Sequence, residues 1–82
     1  AERHWAKTLI QDQHSGQVYA LFRQGPRTWL RSVDVRDGSI GAPSMLVHPF
    51  PEDVQVHEGH AYYVYRPHGS TQKRTLYRER LR

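Results

Sequence analysis

The chain has no cysteine, so neither a disulfide nor a thiolate-held metal can supplement its core. It holds one methionine and two lysines, and no apolar run exceeds five residues. A bilayer-crossing helix takes about 20 apolar residues, so none is expected here, and no membrane partner with it. No basic-then-apolar export signal opens the sequence, and the lack of cysteine fits a reducing, cytoplasmic setting. There is no internal repeat, no low-complexity stretch and no linker, so residues 1–82 read as a single domain with a basic segment over 66–82. No glycine-rich phosphate loop of the GxxxxGK form is present, and nothing calls for a cofactor.

What the chain does have is rhythm. Short runs rich in Val, Tyr, Leu, Phe and Trp are TLIQD, QVYALF, TWLRSVDV, SMLVHPF, DVQVH and AYYVY. Turn residues separate them: His14-Ser15-Gly16, Gln24-Gly25-Pro26, Asp37-Gly38-Ser39, Pro51-Glu52-Asp53 and Glu58-Gly59-His60. Strands at that spacing predict an all-β fold, a small SH3-like or OB-like barrel of about six antiparallel strands. The first strand is expected over Trp5 to Asp12, although Trp5, Leu9 and Ile10 also lie near helical spacing. Val18 to Phe22 is apolar without alternation, which predicts a strand covered on both faces. Residues 37–43 read as the longest loop and Ser44 to His48 as the next strand, with Phe50 between two prolines as a plug at a corner. Glu58-Gly59 reads as a two-residue hairpin turn. The tail reads as a strand from Thr71 onward, or as a helix capped by Ser70.

The charges are segregated. Net charge is +4, yet no Lys or Arg occurs between Asp37 and Tyr65. Arg66, Lys73, Arg74, Arg78, Arg80 and Arg82 crowd the last 17 residues against Glu79 alone. A basic end attracts polyanions, and ten arginines against two lysines suit planar contact with phosphate. The leading expectation is therefore nucleic-acid binding without catalysis. Arg66, Lys73, Arg74, Arg78 and Arg80 would hold phosphates, and Tyr62 and Tyr77 would stack on bases.

Two other classes compete. Six histidines allow a metal-independent ribonuclease or toxin domain, with His57, Glu58, His60 and His68 as acid and base and Arg66 on the phosphate. His57 and His60 flank a tight turn, which also raises a metal site with His48 or His68; the spacing is not that of a helical zinc motif, and no metal is expected. The remaining class is a protein–protein module or oligomeric accessory subunit that uses the tyrosine strand as an interface.

Overall fold

A computed structural model describes residues 6–67 and 73–81, with side chains from residue 8 onward. Among them there is no helix; seven strands form two antiparallel sheets. The first holds β1 (Ala6–Gln11), β2 (Val18–Gln24), β3 (Arg27–Val33) and β4 (Ile40–Met45) in chain order. The second holds β5 (Glu52–His57), β6 (His60–Tyr65) and β7 (Thr75–Arg80), also in chain order. No described helix could cross a membrane.

The all-β class is as expected, but the ladders do not close into a barrel. The linker from Leu46 to Pro51 interrupts the hydrogen bonding because Pro49 and Pro51 offer no N–H. The strand backbones of the two sheets approach each other at β1 and β5 alone among the described residues. There the Gln13 N–H donates to the Val56 carbonyl at 3.2 Å.

Two further corrections concern the middle of the chain. β4 starts at Ile40, inside the segment expected to be a loop, and ends before Leu46. Pro43 is tolerated because β4 is an edge strand, and a shift in its ladder between Arg31 and Val33 absorbs the irregularity. Phe50 plugs nothing: it is 61% exposed, at φ 49. Its N–H donates to the Pro26 carbonyl, which ties the linker to the β2–β3 turn and holds the ring outside. Trp5, Ser70 and the helix alternative for the tail's first residues lie outside the described set; Thr75–Arg80 is strand.

Alternation explains the core. On β3, Thr28 and Leu30 point inward; on β5 and β6, Val56, Ala61 and Tyr63 do the same, and Leu46 enters from the linker. Ile10, Tyr19, Leu21, Val54, Tyr65, Tyr77 and Leu81 pack around them. Full burial of a Leu or Val contributes about 1.5–3 kcal/mol, so this small cluster is the main apolar driving force.

One buried carboxylate staples the sheets at their turns. Asp12 is 2% exposed and follows β1. Its Oδ1 accepts the N–H groups of His14 (2.8 Å), Ser15 (3.2 Å) and Glu58 (3.0 Å). Its Oδ2 accepts that of Gly59 (2.9 Å). Glu58 and Gly59 have φ values of 51 and 74, a primed two-residue turn that aims both N–H groups at Asp12. Burial pushes the carboxyl upward, but the four N–H donors outweigh it and hold the group well below the ordinary carboxylate range.

Candidate functional site

The outward face of the second sheet is set by its registers. Gln55, Tyr62 and Arg78 stand in one row; His57, His60 and Arg80 in the next; Glu52, Val64 and Leu76 in a third. Side chains alternate across a strand, so these residues share the face opposite Val56, Ala61 and Tyr63. Tyr62 is half-buried on the central strand, while Arg78 and Arg80 are exposed beside it. The sheet thus brings Tyr62, Arg78 and Arg80 together, as a phosphate-and-base surface requires.

The other residues expected there are placed differently. Arg74 Nη2 lies 2.8 Å from Glu52 Oε1 and Arg66 Nε 3.8 Å from Glu52 Oε2, so one carboxylate partly neutralises both. Lys73 is exposed just before β7. Tyr77 pairs with Tyr63 in register and lies on the inner face. It meets His48 edge-on at 4.4 Å between ring centroids, and His48 stacks on Tyr65 at 3.7 Å, nearly parallel. His48 is therefore held by the linker's fold among tyrosines.

Behind that cluster Tyr63 and Glu79 secure the linker. The Tyr63 hydroxyl donates to Glu79 Oε1 at 2.6 Å and accepts the His48 N–H at 3.3 Å. The same Glu79 oxygen accepts the Val47 N–H at 2.9 Å. Burial, then the bond to Glu79, pushes the Tyr63 phenol well above its usual range, so it stays a neutral donor.

The residues considered for acid–base chemistry are only partly assembled. Glu58 Oε1 lies 3.4 Å from His57 Nε2 and 3.8 Å from His14 Nδ1, with the two imidazoles 5.8 Å apart. His14 was not singled out by sequence reasoning, because 43 residues separate it from His57 and their turns meet only in the fold, through the Asp12 staple and the Gln13–Val56 hydrogen bond. His60 turns its Nδ1 to the Glu58 carbonyl at 3.1 Å. Arg66 lies at the far end of β6, six residues from His60 or roughly 20 Å of strand, so it does not serve this corner. His68 is outside the described residues. Among the described residues no three His, Asp or Glu side chains are grouped to hold a metal ion.

A second surface, on the first sheet, was not among the candidate sites read from the sequence. Its face away from the second sheet carries Leu9, Ala20, Phe22, Trp29, Pro43 and Met45, of which Ala20 and Phe22 are buried. Phe22 and Trp29 are cross-strand partners whose rings lie 6.2 Å apart and nearly parallel. Met45, opposite Trp29, is 58% exposed, and Leu9 is 64% exposed. Phe22, Gln24, Trp29, Arg31, Pro43 and Met45 line an open groove of about 540 Å³. The unalternating run from Val18 to Phe22 gives β2 apolar residues on both faces, and, as expected of a strand covered on both, Ala20 and Phe22 are buried on this one.

No family model, no curated protein and no solved structure matches the chain.

Proposed function

We propose that this is a non-catalytic protein-interaction domain, and that the outward face of the four-stranded sheet is its docking surface. The observation that carries the reading is the Phe22–Trp29–Met45 row, apolar residues in register on the face turned away from the second sheet; Phe22 itself is buried, and Met45 and Leu9 supply the exposed apolar surface. An antiparallel sheet with one solvated face normally alternates apolar and polar positions; this one has apolar residues on both faces. The groove is open and lies on a sheet face, so it suits a partner that lays a second apolar sheet face over it, as the β5–β7 sheet does on the other side. Arg27 and Arg31 share the face, which disfavours a second copy meeting it symmetrically and favours a partner with carboxylates at the rim.

A photo-crosslinking residue at Met45 tests this in the source cell. A discrete adduct with one other protein, lost on Trp29→Glu, is the expected result. No adduct, or self-adducts alone, defeats the reading.

A second reading rests on a specific pair: Tyr62 lies directly across from Arg78, with Arg80 one row away. That arrangement supports binding of single-stranded nucleic acid on the β5–β7 face, used as OB-like domains use a sheet face, with Tyr62 stacking and the arginines on phosphate. The neutralisation of Arg66 and Arg74 by Glu52, and the inward position of Tyr77, make it the weaker of the two. In an oligonucleotide titration, affinity should fall steeply with salt, and Arg78→Ala should reduce the log–log slope by roughly 0.7. Affinity that stays level between low and moderate salt removes this reading.

A further inference from the structure

Every open sheet has two edges whose N–H and C=O groups offer a ladder to another strand unless the chain blocks them. Three of the four edges here are blocked. β1 shifts register between Ala6 and Thr8, and it lies against β5. β4 contains Pro43, and its ladder shifts as well. β5 is irregular between Glu52 and Gln55, where Asp53 takes φ 55.

β7 is built differently. Thr75 to Arg80 pairs with β6 in six consecutive rows, His60↔Arg80 through Tyr65↔Thr75, with no shift and neither Pro nor Gly. The Leu81 N–H donates to the Gly59 carbonyl at 2.9 Å, which extends the ladder and sets its phase. Inward- and outward-pointing backbone groups alternate along an antiparallel strand. Leu76, Arg78 and Arg80 therefore turn their N–H and C=O groups away from β6, toward the open side. The same three side chains are exposed, Leu76 by 71%. Arg78 and Arg80 make no ion pair among the described residues.

We propose that the β7 edge is a strand-addition site for an extended segment of a partner protein in which acidic and apolar residues alternate. The added strand runs antiparallel to β7, as every ladder in the molecule does. Its carboxylates lie over Arg78 and Arg80 on the outward face, where opposite charges on neighbouring strands attract. Its apolar residues lie on the inner side, beside Tyr77 and Leu81, where the Glu79 carboxylate is already engaged by Tyr63 and the Val47 N–H. The backbone ladder supplies affinity and the alternation supplies selectivity. The second sheet then has four strands, like the first. The site lies on the other sheet from the Phe22–Trp29–Met45 face, so either can fail without the other.

The probe is an amidated octapeptide of alternating Glu and Val, labelled with fluorescein at its N-terminus and titrated by fluorescence anisotropy. Saturable binding is expected, with hydrogen exchange slowing at the Leu76, Arg78 and Arg80 amides. N-methylation of the peptide amides that face β7 should weaken binding at least about tenfold, and so should replacing its Glu by Lys. Arg78→Pro deletes an outward N–H that β6 does not use, so it should abolish binding while near-ultraviolet circular dichroism stays native. Arg78→Gln with Arg80→Gln should erase the preference for Glu over Lys yet keep the exchange protection. Equal binding of the N-methylated peptide, or peptide binding without slowed exchange in β7, overturns the proposal. The N-methylation result decides the matter even if the proline variant does not fold.

Discussion

The Gly59 N–H donates to Asp12 Oδ2 across 47 residues of chain, and the neighbouring Glu58 N–H donates to Oδ1 of the same carboxylate. One side chain at the end of β1 thereby fixes the β5–β6 turn. It joins the two sheets where their first strands meet, and it places His14 against His57 and Glu58. Fold and candidate corner depend on the same four hydrogen bonds.

Asp12→Asn should lower the unfolding midpoint at pH 7 by on the order of 10 °C, because its amide would oppose the Gly59 N–H donor to donor. The carboxyl is held below its ordinary value in the folded state. Its stabilisation is therefore present above the unfolded pKa and fades as pH falls below about 4. Asp34, lowered by Arg36, and Asp37, lowered by Ser39, act in the same direction. The variant should accordingly show a shallower, not a flat, loss of stability in acid. Thermal unfolding from pH 7 to pH 2 checks this, and identical acid slopes would count against the staple.

Tyr63→Phe deletes the hydroxyl that joins Glu79 to the His48 N–H and leaves the ring in place. A loss of about 1–2 kcal/mol is expected, as for a buried hydrogen bond to a charged acceptor. Hydrogen exchange should quicken at the Val47 and His48 amides. Loss of stability without faster exchange there would show that Tyr63 does not hold the linker.

Thr28 is 1% exposed, and its Oγ1 has no hydrogen-bond partner among the described residues. Thr28→Val keeps the shape and removes an unsatisfied hydroxyl. Chemical denaturation should show a gain of about 1 kcal/mol. A destabilised variant would mean that the hydroxyl is satisfied in solution.

Glu58 occupies the left-handed region at φ 51, where a long side chain is strained and Asn is at ease. Glu58→Asn should stabilise the hairpin by about 0.5–1 kcal/mol. The contacts of Glu58 with His14 and His57 are exposed, so their loss should offset little of this. A lower midpoint in denaturant would refute the turn assignment.

Strand content was legible because it is local. Runs such as VYALF and HAYYVY, cut by Gly and Pro, specify extended backbone whatever surrounds them. The Glu58-Gly59 turn, and Tyr62 facing away from Tyr63, follow from the same short-range rules. The edge strand through Pro43 was not legible, because proline is excluded from central strands but not from edges. Reading an edge requires the strand order.

The amino-acid sequence by itself determined that this is a basic, cysteine-free chain of short antiparallel strands, because pattern and turn chemistry act within a few residues. Only the tertiary structure decided that the strands divide into two sheets, that Tyr77 turns inward while Arg78 and Arg80 stay out, and that Asp12 meets Gly59. Those outcomes are set by contacts between residues far apart in the chain, and a one-residue change of register would reverse every face.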